Sequence, residues 1–185
     1  MAWIKIIPEH NAGWELTKVY EQIKAKRGKL SNIMMVHSLN PGAMQSHMDL
    51  YLSIMFHRSG IRRDIREMIA VVVSQVNQCD YCINHHLEAL NFYWRDRERL
   101  KKFKKDYHSC DLPEKTITAL SYAEKLTRHP QETNEQDVAE LRSAGYRDEE
   151  ILDINLIASY FNFVTRVANG LGVEFTEDEV RGYKY

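Results

Sequence analysis

Four residues within one short stretch of this 185-residue chain have side chains that could carry out chemistry together. Cys79 and Cys82 form a Cys-x-x-Cys pair, His86 follows four residues after the second cysteine, and Glu67 precedes the pair. Residues three, four and seven positions apart share one face of an α-helix, so the imidazole is expected to lie beside both thiols. Thiols, an imidazole and a carboxylate in this spacing indicate thiol redox chemistry or metal binding.

Redox chemistry at a cysteine needs the thiolate, and the sequence provides features that favour it. A cysteine in the first turn of a helix meets unpaired amide N–H groups and the positive end of the helix dipole. A nearby histidine can remove the thiol proton while a carboxylate holds that histidine. The helix terminus favours Cys79 as the thiolate, whereas proximity to His86 favours Cys82. The pattern predicts a cysteine that attacks a peroxide O–O bond to give a sulfenic acid, which the second cysteine converts to a disulfide.

The same residues allow two other interpretations. Cys79, Cys82, His86 and Glu67 could together bind zinc, although the chain has no second Cys-x-x-Cys and no His-x-x-x-His pair. The two thiols could instead be inert side chains of the apolar core. A domain of this length folds without a structural metal, and we expect neither a metal ion nor a cofactor. Cys110 has no partner close in sequence and is predicted to be an unpaired thiol.

Two helices must bring Glu67 to His86. The first begins near Arg62 and is apolar on nearly every face from Met68 to Val76, which is typical of a central helix. The second is predicted to begin at Asn77, which can cap it. Glu67 lies ten residues before this break and His86 nine residues after it. At about 1.5 Å per residue, their heights in an antiparallel hairpin differ by only about 2 Å, so contact is expected.

Apolar residues at spacings of three and four predict an all-α domain of seven or eight helices around this hairpin. No stretch alternates convincingly as a strand. Thr133-x-x-Gln136 is predicted to form a capping box, and His85 is predicted to be a surface or packing histidine. The predicted helical segments cover about Asn11 to Arg27, Pro41 to His57, Arg62 to Val76, Asn77 to Arg95, Arg95 to Lys105, Pro113 to Pro130, Thr133 to Gly145 and Asp148 to Ala168, and a short segment from Asn32 to Leu39 links the first two.

Composition predicts a single domain over residues 1–185, with an N-terminal arm at about 1–10 and a polar C-terminal tail at about 176–185. The chain has 26 acidic and 25 basic residues, so no overall positive charge favours nucleic acid or an anionic membrane. Three cysteines are too few for a secreted disulfide framework, and the N-terminal residues lack the pattern of a signal peptide. The most apolar stretch, Ile151 to Val167, is too polar to span a membrane. We therefore expect a cytoplasmic protein that binds neither nucleic acid nor membrane.

The motif formed by the glutamate, the Cys-x-x-Cys pair and the histidine resembles that of the AhpD-like alkylhydroperoxidases of the carboxymuconolactone decarboxylase superfamily. Two further blocks, YAEKLTRHP from Tyr122 and YFNFVTRVANGLGV from Tyr160, are similar to the uncharacterised peroxidase-related branch of that superfamily. The resemblance therefore extends over most of the chain. One position departs from the pattern, since characterised members have a histidine just before the second cysteine and this chain has Tyr81.

The resemblance implies an all-helical protein that assembles into homo-oligomers and reduces hydroperoxides. It implies that Cys82 attacks the peroxide, that Cys79 resolves the sulfenic acid, and that Glu67 with His86 forms a proton relay. A lipoyl or thioredoxin-like protein would then be the thiol electron donor. Decarboxylating members generally lack the Cys-x-x-Cys pair, so lactone decarboxylation is the less expected activity. The alternative is a non-enzymatic protein in which the same disulfide changes oligomeric packing.

Overall fold

α-Helices and three short 3₁₀ helices make up the regular secondary structure of residues 2–184, which are the residues that the computed structural model describes. Over these residues no β-strand is present, so the all-α prediction is confirmed. One helix is a single turn, and the other eight agree with the predicted number. None of the described helices is long and apolar enough to cross a bilayer. The helices are α1 (Trp14–Arg27), α2 (Asn32–Met35), α3 (Pro41–Phe56), α4 (Arg63–Val76), α5 (Asp80–Trp94), α6 (Arg97–Lys105), α7 (Glu114–Arg128), α8 (Glu135–Ser143) and α9 (Asp148–Gly170).

α4 is the central helix, as its apolar sequence predicts. Every residue over 66–74 is buried, and the helix packs mainly against α5, α7 and α9. Arg66 is buried within this helix because its guanidinium finds backbone acceptors. It donates hydrogen bonds to the carbonyl oxygens of Ile54 at 2.7 Å, Ile61 at 2.9 Å and His57 at 3.0 Å. These bonds fix the loop between α3 and α4, since a buried charge needs such partners.

The turn between α4 and α5 differs from the prediction in its capping residue. Asn77 is the C-terminal cap of α4 and does not cap α5. Gln78 follows in the left-handed conformation with φ of 53°, and Cys79 becomes the N-terminal cap of α5. The side chain of Asn77 is engaged elsewhere, because its Nδ2 donates to Thr165 Oγ1 of α9 at 3.0 Å. The first cysteine of the pair therefore occupies the helix terminus itself.

The predicted capping box at Thr133 and Gln136 is wrong by one residue. Asn134 caps α8, where its Oδ1 accepts the Gln136 N–H at 2.9 Å. Asp137 completes the box, since its Oδ2 accepts the Asn134 N–H at 2.8 Å. Asparagine is a better capping residue than threonine, which explains why the helix begins one position later than expected.

The N-terminal arm packs against the end of α9. The backbone N–H of Trp3 donates to the carbonyl oxygen of Leu171 at 2.8 Å, and the indole ring lies directly over Gly172. A Cβ atom at Gly172 would come within 2.3 Å of that ring, and φ of +61° also favours glycine there. Met1 and Tyr185, the outermost residues of the predicted arm and tail, lie outside the described residues.

The predicted C-terminal tail is a folded segment held by α1 and the residues after it. Val180 is buried, and the backbone N–H of Lys184 donates to the carbonyl oxygen of Arg27 at 3.0 Å. Lys29 holds the middle of the segment, because its Nζ lies within 3.0 Å of three carbonyl oxygens, those of Asp178, Glu179 and Arg181. Sequence composition alone did not predict this packing.

Replacing Ile154 by alanine is expected to lower the free energy of unfolding by about 2–5 kcal/mol, because the fully buried side chain leaves a cavity in the core. Leu152 lies on the same helix but is 57% exposed, and Leu152→Ala should change the free energy by less than about 0.5 kcal/mol. Urea denaturation followed by circular dichroism measures both values. Equal losses in the two variants would contradict the orientation of α9.

Candidate active site

The α4–α5 hairpin brings Glu67 and His86 into direct contact, as their matched heights predict. His86 Nδ1 lies 2.6 Å from Glu67 Oε2. A carboxylate can only accept a hydrogen bond, so Nδ1 carries the hydrogen and Nε2 of the neutral imidazole keeps a free lone pair. The contact therefore makes His86 a base at Nε2.

Glu67 is fully buried and nevertheless favours the charged form. Burial by itself opposes ionisation, but Arg63 and His86 together outweigh it and lower the pKa of Glu67. Arg63 lies one helical turn before Glu67 and places its Nη2 2.8 Å from Oε1 as an ion pair. Its guanidinium also lies 4.1 Å from the centre of the Phe56 ring, a cation–π contact. Sequence reasoning missed Arg63, although its position four residues before Glu67 places it on the same helix face.

The two thiols of the Cys-x-x-Cys pair are buried, and their Sγ atoms lie 2.7 Å apart. Cys79 Sγ also accepts the backbone N–H of Cys82 at 3.4 Å. The hydrogen bond with the Cys82 thiol, and to a smaller extent this amide, lower the pKa of Cys79 although burial opposes the change. The same hydrogen bond between the thiols, together with burial, raises the pKa of Cys82 well above its ordinary value. A thiolate in the resting pair is therefore favoured on Cys79.

Access favours the other cysteine. Of the two sulfur-bearing residues, Cys82 borders a cavity of about 80 Å³, and Cys79 does not. The imidazole of His86 lies in the same wall, next to the Phe161 ring at a centroid distance of 4.4 Å. Apolar rings with a few convergent polar groups are typical of sites for small molecules. The pKa shifts thus favour Cys79 as the thiolate, whereas the cavity favours Cys82 as the accessible sulfur. The sequence left the same choice between the two cysteines open.

Two further histidines, His47 and His85, line the same cavity. His47 Nε2 of α3 lies 2.7 Å from the Tyr160 hydroxyl of α9, and His47 Nδ1 lies 3.4 Å from His37 Nε2. Burial and the neighbouring His37 lower the pKa of His47 to about 3. Burial raises the pKa of Tyr160 well above its ordinary value. Sequence reasoning missed both residues, since a lone histidine on an apolar helix face and a tyrosine in an apolar helix are typical of packing.

Tyr81, at the position where the family has a histidine, is engaged with the C-terminal segment. Its hydroxyl donates to Glu179 Oε1 at 3.2 Å and accepts the Ile33 N–H at 3.1 Å. His85 binds the same carboxylate, with 2.6 Å between its Nε2 and Glu179 Oε2. His85 is thus a packing histidine with an acidic partner that no local sequence signal indicated. The two residues anchor the segment beside the cavity, whose wall includes Tyr183.

The third cysteine, Cys110, does not line the cavity. It is a free thiol as predicted, and burial raises its pKa. Over residues 2–184, no group of three or more histidine, cysteine, aspartate or glutamate side chains is placed to hold a metal ion.

Known proteins share the fold and part of the sequence. Residues 41–91, which contain the whole α4–α5 motif, match the Carboxymuconolactone decarboxylase family. The chain is similar to the alkylhydroperoxidase AhpD core of an uncharacterized peroxidase-related protein from Ralstonia eutropha JMP134, with 24% identity, a TM-score of 0.86, and coverage of 97% of this chain and 94% of that one. It is similar to an uncharacterized peroxidase-related protein from Silicibacter sp. TM1040, with 28% identity, a TM-score of 0.82, and coverage of 96% and 91%.

A debrominase has the same fold. A variant of Bmp8 in complex with 2,3,4-tribromopyrrole has 18% identity, a TM-score of 0.79, and coverage of 96% of this chain and 97% of that chain. The match over residues 41–91 and these structural similarities support assignment to the AhpD/carboxymuconolactone decarboxylase superfamily. The Bmp8 similarity shows that this fold has other activities, so the reaction must be inferred from the site and not from the fold.

Glu67→Gln is expected to lower the free energy of unfolding at pH 7 by about 3 kcal/mol, because it leaves Arg63 largely buried without its countercharge. The pKa of Glu67 is lower in the folded state, so its contribution is complete above the ordinary glutamate pKa of about 4.3 and disappears as the pH falls through the folded-state value. The difference between parent and variant should therefore shrink in acid. Urea denaturation at a series of pH values measures it.

The matched control for this variant is Glu98→Gln. Glu98 makes an ion pair with Lys101 at the surface, where its side chain is 83% exposed. Such a pair contributes less than about 1 kcal/mol. If Glu67→Gln were as mild as this control, or if its effect did not depend on pH, the buried ion pair would not have the role described.

Proposed function

We propose that this protein is a thiol-dependent hydroperoxide reductase that cycles through a disulfide between Cys79 and Cys82. The observation that carries the proposal is the position of the cysteine pair. Its sulfurs lie 2.7 Å apart, and Cys82 borders a cavity that also contains the carboxylate-held imidazole of His86. Cysteines held this close form a disulfide with little backbone movement.

The first step is the removal of one proton from the cysteine pair. His86 accepts it at Nε2, and the resulting imidazolium is stabilised by Glu67 at 2.6 Å. The remaining proton is shared by the two sulfurs. The thiolate rests mainly on Cys79, but transfer of the shared proton from Cys82 to Cys79 moves the charge to the sulfur that borders the cavity. This transfer lets Cys82 attack although Cys79 has the lower pKa.

The second step breaks the O–O bond. The Cys82 thiolate attacks the terminal oxygen of the hydroperoxide, so that an S–O bond forms and the electron pair of the O–O bond leaves with the alkoxide. The imidazolium of His86 returns its proton to the alkoxide, which departs as an alcohol. Cys82 is then a sulfenic acid, and the sulfur has been oxidised by two electrons.

The third step forms the disulfide. The Cys79 thiol attacks the sulfur of the sulfenic acid, and hydroxide leaves with the thiol proton as water. The net reaction converts two thiols and a hydroperoxide into a disulfide, an alcohol and water. A dithiol donor of the lipoyl or thioredoxin-like kind would restore the pair by thiol–disulfide exchange. Assembly into homo-oligomers and a cytoplasmic location, both expected from the sequence, stay predictions.

Cysteine variants separate the two sulfur roles. Cys82→Ser should consume no tert-butyl hydroperoxide, because the attacking sulfur is absent. Cys79→Ser should consume one equivalent and stop at the sulfenic acid, which dimedone traps on Cys82. Cys110→Ser is the matched control and should behave as the parent. Peroxide consumption and mass spectrometry measure these outcomes.

Two outcomes would overturn the proposal. If Cys82→Ser consumed hydroperoxide at the parental rate, the assignment of Cys82 as the attacking cysteine would be wrong. Alternatively, the reduced parent could leave hydroperoxides untouched and instead debrominate a bromopyrrole, the compound class found with Bmp8. The protein would then be a dehalogenase that uses the same dithiol.

Removal of the imidazole tests the proton relay. His86→Gln keeps a side chain of similar length but cannot take or return a proton, so kcat/KM for tert-butyl hydroperoxide should fall by about 100-fold. His108→Gln is the matched control, since His108 is exposed and does not line the cavity. Stopped-flow measurement of thiol oxidation gives both rates. A loss in His108→Gln as large as that in His86→Gln would contradict the relay.

A further inference from the structure

Three hydrogen bonds link the cavity to the backbone of α2, and while His37 is neutral they all run in one direction. His37 Nδ1 lies 2.8 Å from the carbonyl oxygen of Ile33, and a carbonyl only accepts, so Nδ1 carries a hydrogen. Neutral His37 therefore has its lone pair on Nε2, which must accept from His47 Nδ1 at 3.4 Å. That bond leaves the lone pair of His47 on Nε2. The Tyr160 hydroxyl, 2.7 Å away, must then donate to it.

The direction of these three hydrogen bonds determines whether the Tyr160 hydroxyl is a donor or an acceptor towards the cavity. A phenol has one hydrogen, and here it is committed to His47. The oxygen of Tyr160 is thus left with lone pairs and no hydrogen to donate. His47 does not reverse this by protonation near neutral pH, because burial and His37 lower its pKa to about 3.

Tyr160 belongs to the wall of the same cavity as Cys82. Both residues line it, together with His47 and His86. Tyr160 is also near enough to Cys82 for a charge on that sulfur to raise the pKa of the phenol, although burial is the larger cause. No step of the proposed reaction uses this oxygen, and an unused acceptor in a small cavity needs a donor from its ligand.

We propose that Tyr160 is a specificity-determining residue whose oxygen accepts a hydrogen bond from an O–H group on the substrate. His47 and His37 are positioning residues, because they hold the phenol hydrogen away from the cavity. The inference rests on the proposed function and deepens it, since the reacting oxygen of a hydroperoxide carries such an O–H group. Accepting that hydrogen places the terminal oxygen of the substrate beside Cys82. Ligands without a donor leave the lone pairs of the Tyr160 oxygen without a hydrogen bond and bind less tightly.

The direction of the hydrogen bonds through His37, His47 and Tyr160 can be measured directly in the parent protein. Nitrogen-15 NMR of the reduced protein at about pH 8, above the ordinary histidine pKa of about 6.5, distinguishes protonated from unprotonated imidazole nitrogens. We expect the hydrogen of His47 on Nδ1 and a lone pair on Nε2. If the hydrogen were on His47 Nε2, Tyr160 would accept it and would have its own hydroxyl hydrogen free to donate towards the cavity. That result would overturn the proposal.

Ligand preference tests the consequence. 2-Propanol and acetone have similar size, but only the alcohol can donate a hydrogen bond. Titration of the parent, followed by NMR shifts of the cavity residues, should show binding of 2-propanol tighter than acetone by about 5-fold, the effect of one neutral hydrogen bond. Tyr160→Phe should abolish the preference. Tyr51→Phe, which changes another tyrosine in the same wall, should keep it.

Neither probe reacts with thiols, so this result is independent of peroxidase activity. Failure of the proposed function would appear in the cysteine variants, whereas failure of this inference would appear only in the tautomer and in the ratio of affinities. If Tyr160→Phe weakened both ligands equally, its hydroxyl would have a structural role alone and the proposal would be wrong.

Discussion

The carboxylate of Glu67 is the interaction on which the rest of the site depends. It lies in the centre of the core, where a charge is unfavourable, and it stays ionised because Arg63 and His86 contact its two oxygens. This arrangement joins α4 to α5 and determines which nitrogen of His86 carries the hydrogen. A buried ion pair is seldom an efficient source of stability, since desolvation offsets most of the attraction. Its presence here is better explained by the orientation that it gives to the imidazole.

The cysteine pair combines two physical requirements that a single thiol would not meet. The hydrogen bond with the Cys82 thiol and, to a smaller extent, the amide at the helix terminus favour a thiolate at Cys79, while Cys82 is the cysteine that borders the cavity. Because the sulfurs lie 2.7 Å apart, a single proton can move directly from one sulfur to the other. In the proposed reaction, the thiolate rests on Cys79 and moves to Cys82 for the attack on the substrate. The same closeness favours the disulfide after oxidation.

The helices and the Glu67–His86 contact could be predicted from sequence because both depend on local periodicity. Helical rise and the position of the break were sufficient to place two residues on facing helices at the same height. The capping of α5 was predicted wrongly, since nothing in the sequence signals the left-handed Gln78 that shifts the cap from Asn77 to Cys79. A one-residue change of this kind decides which thiol meets the helix dipole.

Other parts of the site could not be predicted because they depend on contacts between distant segments. His47 and Tyr160 are separated by 113 positions, and Glu179 reaches His85 across 94. Neither contact has a periodic pattern, and only the packing of α3, α9 and the C-terminal segment against the hairpin creates them. Sequence periodicity thus identified the reactive hairpin, whereas the walls of its cavity required the tertiary structure.

The most direct test of the account is the stoichiometry of a single turnover. Reduced protein, free of any donor, is mixed with one equivalent of tert-butyl hydroperoxide and digested for mass spectrometry. The account predicts one tert-butyl alcohol per chain, loss of two hydrogens from the peptide that contains Cys79 and Cys82, and an unmodified Cys110. Intact thiols at Cys79 and Cys82 with the hydroperoxide unconsumed would contradict it.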